Sequence, residues 1–293
     1  MYSAKTLLQR PPVPARRTVP RRPAVLWIWY RGDAFRGFQR QPEGPTVQQT
    51  LQEALQTLGL PHGLMPSGRT DRGVHARMQV VSLRLPADLE LDRLPPRLAE
   101  VLPSSMGVTR AVWAPKGFHA QWSATGKAYH YRLAPHDLPP AWAHAAWELR
   151  SEPRLEGARV DFGRLAELLG LACGTRDFSA FHESSSPTKP RQLVEASLHR
   201  ARDGRLWEVR LRGDGFGRYM ARYLVGSAVA TAAGRIEEAA FRAALEEAVP
   251  LNGLKAPGGG LILWKVDYPP EKTPFPESPE TGALPIAPPF CFD

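Results

Sequence analysis

The chain has 293 residues, 43% of them hydrophobic, which is enough for one large domain or two smaller ones with a buried core. No apolar run approaches the roughly 18 residues needed to span a bilayer, and no signal-peptide pattern is present. Cys173 and Cys291 give neither a disulfide framework nor a zinc spacing. A cytoplasmic protein is therefore expected. The formal net charge of +9 indicates a polyanionic partner, nucleic acid first, although a basic soluble protein without such a partner would carry the same charge.

Two proline-rich tails flank the body of the chain. Residues 1–23 carry six basic and no acidic side chains, and residues 269–293 contain eight prolines and a net charge of −3, which leaves +6 for residues 24–268. Segments of this composition bury little apolar surface and are expected to be disordered or extended. The first tail is interpreted either as an RNA-binding arm or as the product of a start codon assigned too early.

The N-terminal half, residues 24–115, alternates short apolar runs with helical patterns. Thr46 begins a capping box with Gln49, and apolar residues at helical spacing follow it. Strands are predicted at 25–30, 78–85 and 108–113, with a short helix at 92–102. A connecting segment, residues 116–152, contains one further predicted strand at 127–133.

The C-terminal half, residues 153–268, repeats this mixture. Helices are predicted at 161–172, 219–233 and 236–248, and strands at 193–199, 206–211 and 261–268. The first two strands form a hairpin around Asp203 and Gly204. This order indicates an α+β fold with a mainly antiparallel sheet, and the two halves are compatible with structural duplication.

The loop 67–76 concentrates charged residues directly before an apolar strand. Asp71 lies between Arg69 and Arg72, His75 follows, and two glycines permit a tight backbone or the close approach of a ligand. The pattern indicates an active site in which one carboxylate is held among cations. The alternative is a surface turn in which Asp71 only ties the backbone through hydrogen bonds.

Two further stretches carry side chains suited to RNA. The loop 30–41 supplies arginine and amide donors of the kind that contact phosphate and sugar. In the strand 127–133, Tyr129 can stack under a base, whereas Tyr131, on the same face, is interpreted as a core residue.

A fourth stretch, 215–226, begins the alanine-rich helix. Arg218 and Arg222 are four residues apart and are predicted to share a helix face. An arginine near the start of a buried helix needs an anionic partner, and Asp71 would serve. Because the sequence contains no phosphate-binding glycine-lysine loop, dinucleotide fingerprint or metal-ligand cluster, no cofactor and no metal are expected.

Taken together, these stretches resemble the tRNA pseudouridine synthase A family over about residues 25–270. The matching positions are Tyr30, Gly32, Gly37 and Gln39-Arg40-Gln41; Gly68-Arg69-Thr70-Asp71 and Gly73-Val74-His75-Ala76; Phe118-His119-Ala120, Ser123-Ala124 and Tyr129; Asp177-Phe178 and Phe181; Met220, Arg222 and Val225-Gly226; Gly260-Leu261 and Tyr268-Pro269. The departures are Arg31, Phe38, Arg72 and Gln121, which stand where the family usually has an acidic residue, tryptophan, alanine and arginine.

The resemblance implies a fold and a reaction. The fold has two similar halves with mainly antiparallel sheets joined into one continuous sheet, flanked by helices, with a central basic cleft. The reaction is the isomerisation of uridine to pseudouridine in the anticodon stem-loop of tRNA, at tRNA positions 38, 39 and 40, by a homodimer without a cofactor. Asp71 is then the catalytic residue, Arg69 takes part in base flipping, and Arg222 pairs with Asp71. Tyr129 stacks on the uracil, with removal of the C5 proton as an additional role that the resemblance leaves open. The residues expected to bind RNA are Arg36, Gln39, Arg40, Arg72, Lys127 and Arg218.

Two other functions remain open from the residues. The first is a non-catalytic RNA-binding module on the same scaffold, against which the joint presence of Asp71, Tyr129 and Arg222 speaks. The second is a nucleotide hydrolase using Asp71 with His75, which would lack the second carboxylate of most glycoside-cleaving sites.

Overall fold

The computed structural model describes residues 19–183, 189–201 and 204–275, arranged around one continuous ten-stranded sheet. The predicted tails up to residue 18 and from residue 276, and Asp203 of the predicted hairpin turn, lie outside these ranges. The strands are β1 (Arg21–Tyr30), β2 (Leu64–Pro66), β3 (His75–Pro86), β4 (Met106–Trp113), β5 (Gly126–Ala134), β6 (Trp147–Glu148), β7 (Gly174–Arg176), β8 (Arg191–Arg200), β9 (Trp207–Gly213) and β10 (Leu261–Asp267). The helices are α1 (Val47–Thr57), α2 (Leu94–Ala99), α3 (Phe162–Leu171), α4 (Met220–Ala232) and α5 (Glu238–Glu246).

The last strand of the sheet joins the two halves of the chain. The main path runs β4-β1-β3-β10-β5-β9-β8-β7, with β2 beside β3 and β6 beside β5. β10 pairs parallel to β3 and antiparallel to β5, whereas β1 pairs antiparallel with both of its neighbours. The predicted α+β class with a continuous, mainly antiparallel sheet is confirmed. The loop before β3 and the middle of β5 meet across β10, where the candidate site lies.

The predicted helices form where capping and apolar spacing favour them. Thr46 caps α1 by accepting a hydrogen bond from the Gln49 amide at 3.3 Å, and Asp161 caps α3 through the Arg164 amide at 2.9 Å. α4 is buried along almost its whole length. A Cβ at Gly226 would overlap the Leu254 carbonyl oxygen, so α4 packs directly against that loop backbone.

Three boundaries differ from the prediction by three or more residues. β1 begins at Arg21, so the last three residues of the predicted N-terminal tail pair with β3. β3 begins at His75 rather than residue 78 and therefore reaches into the predicted catalytic loop. α2 is only six residues long because Pro95 and Pro96, which lack amide hydrogens, are confined to its first turn.

Candidate active site

The loop that carries Asp71 is clamped between two other loops at backbone level. A Cβ at Gly32 would overlap the Gly73 carbonyl oxygen, and a Cβ at Gly258 would overlap the Arg72 carbonyl oxygen. Gly37 has a φ of 99°, and its hypothetical Cβ would lie 2.9 Å from the Thr70 oxygen. Glycine is required at these contacts because any side chain would displace the Asp71 loop.

His75 fixes the same loop from inside the protein. Its Nδ1 accepts a hydrogen bond from the Gly32 amide at 2.9 Å, and its Nε2 lies 3.0 Å from the carbonyl oxygens of both His144 and Gly259. Full burial lowers the pKa of His75 to about 4, so the ring is neutral with its proton on Nε2. Both ring nitrogens are engaged by backbone, and His75 is therefore not placed to act with Asp71 as a hydrolase would require.

Asp71 and Arg222 form the predicted ion pair, with 3.8 Å between Asp71 Oδ2 and Arg222 Nη1. Burial raises the pKa of Asp71, and the cations Arg222, Arg218 and Lys255 oppose that rise, whereas Glu183 adds to it. Burial thus outweighs the neighbouring cations, and the carboxyl group of Asp71 is partly desolvated beside Arg222.

Arg222 is itself held by two contacts. Its Nε donates a hydrogen bond to the Ala256 carbonyl oxygen at 2.7 Å, and its guanidinium carbon lies 5.2 Å from the centroid of the Tyr219 ring. Tyr219 precedes α4 with a φ of 61°, an uncommon left-handed conformation for a residue with a side chain. The start of α4 therefore aims Arg222 at Asp71.

Tyr129 lies on β5 beside this pair. Its ring packs edge-to-face against Phe216 with centroids 4.9 Å apart, and the residue is 9% exposed. Burial, with smaller contributions from Tyr30 and Asp71, raises the pKa of Tyr129, so its hydroxyl stays protonated at neutral pH. In this state Tyr129 is suited to stacking and to donating a hydrogen bond.

The predicted RNA-binding residues lie at different depths. Arg69, Gln39, Arg40 and Arg72 are exposed on the loops around Asp71, and exposed Arg36 pairs with Glu43 at 3.3 Å. These side chains are accessible to a ligand near Asp71, and their contacts with RNA stay predictions.

Lys127 is less free than the sequence suggests. Its Nζ donates to the Ser67 carbonyl oxygen at 3.1 Å, and burial lowers its pKa to about 8. Lys127 therefore ties β5 to the loop that carries Asp71, and its contact with RNA stays a prediction.

One placement was wrong, and three residues were missed. Arg218 does not share a helix face with Arg222, because the left-handed Tyr219 separates it from α4. Three residues around the Asp71–Arg222 pair were not predicted from the sequence, namely Tyr219, Glu183 and Lys255. Of these three residues, only Tyr219 lies in a stretch that the sequence singles out, residues 215–226.

In the described ranges, no group of three or more His, Cys, Asp or Glu side chains is arranged to hold a metal ion. None of the helices within those ranges is both long enough and apolar enough to cross a membrane.

Comparison with known proteins places this geometry in context. A family model described as tRNA pseudouridine synthase matches residues 171–269, which include Arg222 and Lys255. The chain is 34% identical over 251 residues to a tRNA pseudouridine synthase A from Chlorobaculum tepidum, covering 85% of this chain and 98% of that protein. It is 35% identical to the protein of that name from Syntrophotalea carbinolica, covering 84% and 96%, and 33% identical to that of Bacillus subtilis, covering 82% and 97%.

Proposed function

Because the chain belongs to the tRNA pseudouridine synthase A family, we propose that it converts uridine to pseudouridine in the anticodon stem-loop of tRNA, at tRNA positions 38, 39 and 40. The observation that carries this proposal is the 3.8 Å pair of Asp71 and Arg222 beside the buried ring of Tyr129. The basic body of the chain supports an RNA substrate.

The reaction breaks the bond between ribose C1′ and uracil N1 and forms a bond between C1′ and C5, with no net gain or loss of atoms. Asp71 either attacks C1′ or removes the proton from C2′, and both roles require the ionised carboxylate. Arg222 favours this ionised form. Tyr129 stacks on the uracil and takes part in removing the C5 proton in the last step.

The target base lies within a helix-loop arm and must leave the stack before it can reach Asp71. Flipping costs about a few kcal/mol, which phosphate contacts around the cleft offset. Exposed Arg69 is assigned to flipping, and Arg36, Gln39, Arg40, Arg72, Lys127 and Arg218 to backbone contacts. Binding therefore weakens as salt rises.

The family resemblance further implies a cytoplasmic homodimer in which one tRNA bridges two subunits. Light scattering of the free protein measures this oligomeric state independently of activity.

The decisive experiment replaces Asp71 with alanine and, as the isosteric variant, with asparagine. Both changes are expected to lower kcat on an unmodified tRNA transcript by at least about 10³-fold, the scale of losing a positioned acid–base or nucleophilic group. Pseudouridine is located by chemical mapping across the whole tRNA, which also tests positions 38, 39 and 40.

Two results would redirect the assignment. Equal pseudouridine formation by the Asp71→Ala variant and the wild type would exclude Asp71 as the catalytic residue. Tight tRNA binding by a wild type that forms no pseudouridine would favour the non-catalytic RNA-binding module, and release of free uracil would favour the hydrolase.

A further inference from the structure

A second charged cluster lies next to the Asp71–Arg222 pair, and the roles given above to Asp71, Arg222 and Tyr129 leave its members Glu183 and Lys255 without a function in RNA binding. The carboxylate of Glu183 spans two cations, with 3.6 Å from its Oε2 to Arg218 Nη1 and 3.6 Å from its Oε1 to Lys255 Nζ. The Glu183 amide also donates a hydrogen bond to the Arg218 carbonyl oxygen at 3.3 Å. Glu183 is therefore held in place by its backbone, whereas its carboxylate makes only long contacts.

The two cations are gathered on the ring of Tyr219. Lys255 Nζ lies 4.4 Å and the Arg218 guanidinium carbon 4.8 Å from the ring centroid, and Arg222 approaches the same ring at 5.2 Å. The Tyr219 hydroxyl accepts a hydrogen bond from Arg218 Nη2 at 3.1 Å. Three positive charges around one ring form a fixed anion-attracting surface, since each cation is attracted to the negative face of the aromatic system.

The ion pairs of Glu183 are easily replaced. The side chains of Arg218, Glu183 and Lys255 are 53%, 37% and 37% exposed, and exposed pairs of this length contribute little to stability. A phosphodiester brings one full negative charge and oxygens that accept short, charge-assisted hydrogen bonds. It would therefore compete well for the position that the carboxylate now fills.

We propose that Arg218 and Lys255 form a subsite for an RNA backbone phosphate beside Asp71, and that the Glu183 carboxylate fills this subsite in the free protein and competes with the RNA. The inference rests on the proposed function, because that function supplies the RNA. Arg222, which pairs with Asp71, approaches the same Tyr219 ring as Arg218 and Lys255, so the phosphate concerned is one that flanks the target nucleotide. Glu183 then limits the affinity for RNA.

The experiment measures binding of an unmodified tRNA transcript as a function of salt, with every variant built on Asp71→Asn to prevent turnover. Glu183→Gln is expected to tighten Kd about two- to fivefold, the scale of one exposed charge pair. It is also expected to steepen the slope of log affinity against log salt by about 0.7 to 0.9, the contribution of one additional phosphate contact. Lys255→Ala should weaken binding by a similar factor and make the slope shallower.

Two further variants test the coupling. In the Lys255→Ala background, the gain from Glu183→Gln should shrink, because one of the two cations that Glu183 blocks is gone. Glu90→Gln, which removes a carboxylate from a surface pair with Arg93 at 2.6 Å, is the matched control and should leave the slope unchanged.

An unchanged or weaker Kd in both Glu183→Gln and Glu183→Ala, with wild-type melting temperatures, would overturn the subsite. The proposed function fails differently, since in that case the wild type forms no pseudouridine whatever the salt slopes of the variants.

Discussion

Burial and neighbouring cations act on Asp71 in opposite directions. Burial raises the pKa of its carboxyl group, and Arg222 contributes the largest opposing effect. The proposed reaction needs the carboxylate, so the acidic limb of the pH profile of kcat/KM should report this balance.

Replacing Arg222 with glutamine should therefore move that acidic limb to higher pH and lower kcat/KM at neutral pH by about 10- to 100-fold, less than the full loss of a catalytic group. Arg222→Lys keeps the positive charge near Asp71 and should move the limb less. The pH profiles of both variants against wild type provide the measurement. A limb that stays in place in Arg222→Gln would mean that Arg222 does not stabilise the charge of Asp71.

At the scale of single residues, motif and chemistry predicted Asp71, Arg222 and their pairing. They did not predict Glu183 or Lys255, because each lies more than 30 residues from its nearest partner in the pair and belongs to no local pattern. These residues become neighbours only when the loops at either side of α4 pack together. Such contacts depend on tertiary structure and leave no periodic signal in a single sequence.

At the scale of elements, three loops fix the site by touching backbone to backbone. Gly258 has an ordinary φ, so its backbone conformation does not require glycine. Glycine is required because a side chain at this position would overlap the Arg72 carbonyl oxygen. The loop 258–260 precedes β10, the strand that joins the two halves. Any displacement there moves the Asp71 loop relative to α4.

Gly258→Ala is expected to lower kcat/KM about 10- to 100-fold, because misplacing a reacting group by about 1 Å has effects of this size. It should also lower the free energy of unfolding by about 1–3 kcal/mol through overpacking. Gly170→Ala is the control: nothing lies near its Cβ position within α3, so the variant should be neutral or more stable by up to about 1 kcal/mol. An unchanged kcat/KM in Gly258→Ala would show that the contact of Gly258 with the Arg72 carbonyl oxygen does not position the Asp71 loop.

Apolar periodicity predicted most strands and helices but not how deeply their polar faces are buried. The alternation in β9 places Glu208 and Val209 on opposite faces of the strand, which predicts that Glu208 is exposed to water. Only 2% of Glu208 is exposed. The reason is that its face also packs, with His130 Nδ1 3.1 Å and Arg132 Nε 3.9 Å from the carboxylate. Alternation identifies two faces of a strand, but only the assembled sheet decides whether one of them meets water.

At the scale of the whole molecule, one buried imidazole connects the N-terminal loop, the site and the last strand. His75 bonds to the backbone of Gly32, His144 and Gly259, which lie far apart in the sequence. These bonds require the neutral ring, whereas the unfolded chain takes up a proton near pH 6.5. Protonation of His75 therefore couples to unfolding of the assembled sheet.

The sign of this coupling is fixed by the lowered pKa of His75, which is about 4 in the folded protein. Between pH 6.5 and 4 the unfolded chain binds more protons than the folded protein does. The contribution of neutral His75 to the free energy of unfolding is therefore complete above pH 6.5 and is lost as the pH falls toward 4. The loss amounts to about 3 kcal/mol over that window. Asp33, whose charge favours the protonated ring, and His144, whose charge opposes it, are the charged neighbours.

His75→Asn should be less stable than wild type at pH 7 but lose less further stability on acidification, because its side chain does not titrate. Denaturant unfolding at pH 7 and pH 5 measures the difference for both proteins. The pKa of His130 is also lowered and affects both proteins equally, whereas that of His144 is coupled to His75 and belongs to the same effect. Exposed His62→Asn is the matched control and should follow wild type. A parallel loss of stability in His75→Asn and wild type would show that this imidazole does not link folding to pH.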